Sequence, residues 1–116
     1  MTPGLREHKQ ASLRLAVPTG LPEDMRSGIR EVLDVASTNP RKGHATALMH
    51  EVCAEADKHG CVLLLTPRAF SEGMSTEQLS KWYARFGFEV VQTEPETLMA
   101  RQCTGALEAQ KRWANG

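Results

Sequence analysis

The sequence has no excess of either charge sign. Fourteen Lys and Arg side chains balance fourteen Asp and Glu side chains, and the pI is near 6.9. Nucleic-acid-binding proteins draw much of their affinity from cationic contacts to phosphates, so this balance argues against a nucleic-acid partner. A long hydrophobic run is also lacking, because the longest, at residues 61–65, is far shorter than a bilayer requires. Since the N-terminus has no signal-peptide pattern either, we expect no membrane association.

Cysteine pairs and metal-ligand clusters are lacking too. The three cysteines, Cys53, Cys61 and Cys103, are odd in number and have no CxxC spacing, which is typical of free thiols in a reducing compartment such as the cytoplasm. The four histidines show no HExxH spacing, so we expect no metal site. What is present, 116 residues of which 41% are hydrophobic and 24% charged, indicates one small globular domain.

Hydrophobic periodicity predicts both strands and helices along the first half of the chain. Residues 1–10 are polar and predict a flexible N-terminus, whereas residues 11–17 alternate like a half-buried strand and open a domain predicted to span 11–103. Residues 45–59 repeat apolar side chains every four positions, which predicts a helix that Gly60 ends. The apolar run at 61–66 is typical of a strand covered on both faces.

The second half predicts one strong helix and several short elements. Residues 76–86 have a helical apolar stripe, with an N-cap signal at Ser75 or Thr76 and a closing Gly87. Two short strands are predicted at 88–92 and 97–102, and a C-terminal tail helix within 104–116.

Residues 29–36 fit two structures. Their apolar side chains recur at helical spacing, yet Glu31 and Val35 also share one face of a strand. We assign the strand because the segment leads into a short loop around Gly43 and then into the strong helix. A strand, a tight loop and a helix in this order aim the first backbone N–H groups of the helix and the positive end of its macrodipole at one point, which favours a phosphate there.

The loop has suitable chemistry for a phosphate. Arg41 and Lys42 supply positive charge. Gly43 has no Cβ and allows a ligand to approach the backbone closely, and the small side chain of Ala45 leaves space at the next turn. The loop has neither the P-loop pattern nor the dinucleotide-binding glycine pattern. Taken alone, it fits a solvated turn at least as well as a phosphate site.

A second motif, Trp82-Tyr83-Ala84-Arg85-Phe86-Gly87-Phe88, ends the later helix. Together with the loop at 40–48 it resembles the GNAT superfamily of N-acetyltransferases. The cofactor loop of that family reads Arg/Gln-x-x-Gly-x-Gly/Ala, and its later helix ends in an aromatic-Tyr-x-x-aliphatic/aromatic-Gly-Phe signature. The resemblance covers roughly residues 29–101 and is close to the small acetyltransferases of bacteriophages and mobile elements. It implies an α/β fold with a mixed, mostly antiparallel sheet, helices on both faces and a shortened N-terminal part.

The resemblance also implies a reaction and its residues. Acetyl-CoA would be the co-substrate, and its acetyl group would pass by direct attack to an amine, either a protein lysine, a protein N-terminus or a small molecule. Tyr83, a phenol with an ordinary pKa near 10, matches the leaving-group acid, with a core aromatic as the alternative. Glu31 is a candidate base, directly or through water, or else a solvated strand carboxylate. The implied cofactor-binding residues are Val35, through its backbone N–H, and Arg41, Lys42, Gly43, His44, Ala45 and Thr46.

Three departures from the family pattern keep a second interpretation open. Pro40 stands where the family has Arg or Gln, and Thr76 and Leu79 stand where it often has Asn and Ala. The N-terminal helical pair that shapes the acceptor pocket has no room before residue 29, so an open cleft and a protein acceptor are expected. The alternative is a catalytically degenerate GNAT-fold module that binds CoA or a protein. A homodimer through Trp82 or Trp113 also stays open.

Overall fold

The computed structural model describes residues 1–37, 43–67 and 75–102. Its strands are β1 (Gly4–His8), β2 (Ala11–Ala16), β3 (Ile29–Ser37), β4 (Val62–Leu65), β5 (Glu89–Gln92) and β6 (Leu98–Arg101), and its helices are α1 (His44–His59) and α2 (Thr76–Ala84). The predicted tail helix within 104–116 lies outside the described residues. No helix in the described part of the chain is long and apolar enough to cross a membrane.

The strands form one six-stranded sheet in the order β1-β2-β3-β4-β6-β5. Among the described strands only β3 and β4 pair in parallel, and α1 makes the crossover between them, as a parallel connection requires. The other neighbours pair antiparallel. The expected mixed, mostly antiparallel sheet is therefore confirmed, and so is the strand over 29–36, despite its helical spacing.

The first strand corrects the prediction for the N-terminus. The polar sequence of residues 1–10 predicts a flexible segment, but Gly4–His8 pairs with β2 as a hairpin. Two of its polar side chains reach α1 across the sheet face, which periodicity could not anticipate. Arg6 Nη1 lies 2.6 Å from Glu55 Oε2, and His8 Nδ1 lies 3.1 Å from Glu51 Oε1.

Both helices cover the same face of the sheet. The His50 ring on α1 lies 4.9 Å from the Phe86 ring just after α2, and Arg101 on β6 pairs with Asp57 on α1 at 2.9 Å. One core holds the buried apolar side chains of the sheet and of both helices, including Leu13, Leu15, Val32, Leu48, Met49, Val52, Leu63, Leu65, Leu79, Tyr83, Phe88 and Met99.

The opposite side of the sheet, here the second face, is less covered. In β4, Leu63 and Leu65 are buried, whereas Val62 and Leu64 are only half-buried. Among the described residues no helix lies on the second face, so the predicted helices on both faces and the two-sided cover of β4 are not found there. On β1, Leu5 is 60% exposed on this same face.

The helix ends follow the local signals. Gly60 caps α1 in the left-handed region at φ 71°. Ser75, rather than Thr76, caps α2, because its side chain accepts from Gln78 N while the Gln78 side chain accepts from Ser75 N. Cys53 and Cys61 are buried as free thiols.

Candidate functional site

The site begins where β3 leads into α1. β3 ends at Ser37, and α1 begins at His44 after Gly43, whose φ of 73° lies in the left-handed region that favours glycine. No side chain in the described part of the chain caps this helix, and its first turn contains no acidic residue. The positive end of a 16-residue helix is therefore not neutralised by a carboxylate of its own first turn.

A bulge interrupts β3 just before this point. Ser12 lies opposite Ala36 and Arg14 lies opposite Leu33, so β3 contains one residue more than β2 over this stretch. Asp34 in the bulge has a φ of 53°, in the left-handed region that is uncommon for non-glycine residues, although Asp adopts it more often than most. Such an extra residue reverses the side-chain alternation beyond it.

The bulge corrects the expected orientation of Glu31 and Val35. Val32 lies opposite Leu15 and is buried on the helical face, while Glu31 lies opposite Ala16 on the second face. Val35 packs against the core, as Val32 does. Glu31 and Val35 therefore face opposite sides of the sheet, and the prediction that they share a face is wrong because it assumed a regular strand.

The pairing between the two parallel strands stops before the end of β3. β3 and β4 pair from Ile29 and Val62 to Glu31 and Leu64, but β3 continues to Ser37. Residues 32–37 thus have no partner in β4. The backbone N–H and C=O groups of such an unpaired strand segment can pair with an extended ligand.

Tyr83 lies on the buried side of α2. It is 2% exposed, and its ring lies 4.9 Å from the Trp82 ring and 5.9 Å from the Phe88 ring. Burial raises the pKa of its phenol to about 12, above the ordinary value of 10 that the sequence implied. Since Val35 packs against the cluster that contains Tyr83, the two residues border the same core.

His44 occupies the first position of α1 and is exposed on part of its surface, next to the exposed Gly43. Its ring lies 6.4 Å from the His8 ring, edge to face. The next two residues, Ala45 and Thr46, continue the first turn of the helix. The structure therefore brings four of the predicted cofactor-binding residues together at the helix start.

Only part of the predicted loop is among the described residues. Arg41 and Lys42, the predicted basic residues of the loop, lie outside the described part of the chain. Ser37, the last residue of β3, has no distinctive sequence pattern. Its position across from Ala11 is visible only through the register of β2 and β3.

Comparisons with protein-family models and with curated proteins find no match. Solved structures do match. The crystal structure of the anti-CRISPR protein AcrVA5 has a TM-score of 0.66 at 18% identity, covering 86% of this chain and 98% of that one. A GNAT family N-acetyltransferase (YhbS) from Escherichia coli, in complex with CoA, has a TM-score of 0.56 at 12% identity. The chain has the GNAT fold.

Coverage differs between the GNAT-fold neighbours. An acyl-CoA N-acyltransferase from Pseudomonas aeruginosa matches with a TM-score of 0.53 at 22% identity. Each of the two enzymes is matched by 79% of this chain, but the match spans only 51% of the Escherichia coli protein and 60% of the Pseudomonas aeruginosa protein. The match with this chain thus spans nearly all of AcrVA5 but only about half to three-fifths of each of the two enzymes.

Proposed function

We propose that this chain is an acyl-CoA N-acyltransferase that moves an acetyl group from acetyl-CoA to an amine. The observation that carries the proposal is the junction of β3 and α1, where a strand continues beyond its pairing with its parallel neighbour and is followed by a helix start with no acidic first turn. This arrangement offers an anion site beside a slot for an extended arm. The CoA complex of a protein with the same fold supports a CoA-type ligand.

The residues at the junction suit the two ends of such a ligand. The backbone N–H groups of Gly43, His44, Ala45 and Thr46 would hold the pyrophosphate, with charge from Arg41 and Lys42. The pantetheine arm would lie along residues 32–37 of β3, and the Val35 backbone N–H would donate to the thioester carbonyl oxygen. Bound acetyl-CoA supplies the activated acyl group, while the chain orients it.

Tyr83 would assist the leaving sulfur. With a pKa of about 12, the phenol stays protonated at neutral pH and is a weaker acid than an ordinary thiol. Its role is therefore to donate a hydrogen bond that strengthens as negative charge develops on sulfur. Complete proton transfer would follow only after solvent reaches the site.

Glu31 and the second face would serve the acceptor. Because Glu31 faces away from the core, an amine that approaches from the second face meets its carboxylate, which would accept the ammonium proton directly or through water. No described helix restricts this face, so a bulky acceptor such as a protein lysine or a protein N-terminus fits the site better than a small amine alone.

A thermal-shift titration with acetyl-CoA tests the binding part of this proposal. At a ligand concentration of a hundred times Kd, the free energy of unfolding should rise by about 2.7 kcal/mol. The same samples are then assayed for CoA release with a panel of lysine peptides. A shift with CoA release supports the enzyme, and no shift contradicts the proposal. A shift without release on any amine supports the second candidate, a CoA-binding module, which the replacements at Pro40 and Thr76 favour.

A further inference from the structure

The second face of the sheet carries apolar side chains, although no helix in the ranges 1–37, 43–67 and 75–102 packs on it. These side chains come from β1, β3, β4 and β6 and are Leu5, Ile29, Leu33, Val62, Leu64 and Leu98. Leu5 is 60% exposed, and the others are half-buried. Since a sheet face that meets only water is usually polar, this surface indicates a further covering element.

The chain leaves the sheet directly beside this surface. Arg101, the last residue of β6, lies opposite Leu63 on β4, so Gln102 follows next to Val62. Side chains alternate along a strand, and Ala100 lies opposite Leu64 on the second face. Residues 103–116, which lie outside the described part of the chain, therefore follow from a point next to the second face.

The sequence of this last segment predicts an amphipathic helix. At 100° per residue, a helix over 106–114 would gather its apolar residues on one side, namely Ala106, Leu107, Ala109, Trp113 and Ala114. Its charged residues would all lie on the other side, namely Glu108, Lys111 and Arg112. A helix this short is stable in water only when its apolar side is packed against another apolar surface.

The segment is long enough to cross the second face. The strand order places β6 four strand spacings from β1, which amounts to about 19 Å. Even as a single helix, residues 103–116 span about 21 Å. A helix that starts beside Val62 can therefore bring the Trp113 side chain to Leu5 on β1.

We propose that residues 103–116 pack as an amphipathic helix across the second face of their own sheet, with Trp113 against Leu5. A second copy of the chain would fit the same apolar face. However, a tethered segment has an effective concentration on the order of millimolar, which favours the chain's own residues over another molecule. The inference does not depend on the proposed function. Where both hold, the segment forms one wall of the approach to Glu31.

The charges agree with this occupant. Among the paired strand residues that the register places on the second face, the charged ones are Glu7, Glu31, Glu89 and Arg14. This face is therefore acidic, whereas residues 103–116 contain two basic side chains and one acidic side chain. Lys and Arg side chains at the border of the helix can reach past its apolar side to such carboxylates.

Trp113 fluorescence reports on this packing in the full-length chain. Trp82→Phe leaves Trp113 as the only tryptophan and keeps an aromatic ring against Tyr83 and Phe86. In this variant, acrylamide should quench Trp113 several-fold less in the folded protein than in the same protein unfolded in guanidinium chloride. The protection should be independent of protein concentration.

Leu5→Asp in the same background locates the packing. Because Leu5 is largely exposed in the described structure, the variant should keep a cooperative thermal transition. Quenching of Trp113 should rise at least twofold toward the unfolded value, since a carboxylate replaces the apolar contact. Val91→Asp is the matched control, because Val91 is 59% exposed on β5, which lies on the other side of β6 from the proposed path. It should leave quenching unchanged.

Each of the other outcomes refutes the inference. Quenching that is as strong in the folded as in the unfolded protein shows that Trp113 is not packed. Protection that Leu5→Asp leaves unchanged shows that Trp113 packs elsewhere. Protection that is lost on dilution, with a matching fall in mass by light scattering, assigns the face to a second copy. None of these measurements involves CoA, so their result leaves the proposed function to its own test.

Discussion

Replacing Gly43 with alanine tests the junction of β3 and α1 most cleanly. Gly43 has a φ of 73°, and a Cβ built there meets no atom within 4 Å, so the variant suffers backbone strain but no steric clash. A residue with a Cβ in the left-handed region costs about 1–2 kcal/mol. A loss of about 1 kcal/mol lowers the melting temperature of a domain of this size by roughly 4–8 °C.

Gly20→Ala provides the matched control. Gly20 has a φ of 80° and equally open surroundings, but it lies in the turn after β2. The two variants should therefore lose similar stability in thermal unfolding. Only Gly43→Ala should lose CoA affinity, by roughly tenfold or more in calorimetric titration, because its methyl group stands where the phosphate approaches the helix N–H groups. Equal CoA affinities of Gly43→Ala and Gly20→Ala would refute the reasoning.

Further predictions concern three side chains. Tyr83→Phe should keep the fold and lower turnover roughly tenfold to a thousandfold at saturating substrate, and unchanged turnover would remove Tyr83 from the reaction. Because burial raises the pKa of folded Tyr83 to about 12, stability present below pH 10 should be lost as pH rises toward 12, and Tyr83→Phe should abolish that loss in alkaline melting curves. Glu31→Gln should lower turnover roughly tenfold or more, whereas Glu7→Gln on the same face should leave turnover unchanged. Burial raises the pKa of Cys53 to about 11, so a thiol reagent at pH 8 should label it only after unfolding, and rapid labelling of the native protein would contradict its placement.

Local signals in the sequence are enough to predict the two helices. The apolar repeat and Gly60 predict α1 to within one residue of its observed start, and Ser75 is one of two predicted caps of α2. The strand at 29–36 can be assigned only from its context, because its own periodicity favours a helix. The loop and helix after it decide between the two structures.

Features that depend on tertiary structure could not be predicted. β1 is polar, and its ion pairs join residues far apart in sequence, such as Arg6 and Glu55. The bulge at Asp34 contains no glycine that would reveal it in the sequence. A regular strand would place Glu31 and Val35 on one face, but the bulge reverses the alternation between them. The raised pKa of Tyr83 arises from burial by its surroundings, which a motif does not report.

The central claim is that the start of α1 holds the phosphates of CoA while β3 lies along its extended arm. A titration of ¹⁵N-labelled protein with CoA, followed through backbone amide resonances, tests it directly. The account predicts that the amides of residues 43–46 and of Val35 shift most and saturate together. Large shifts confined to other residues, or no shifts at any CoA concentration, would contradict it.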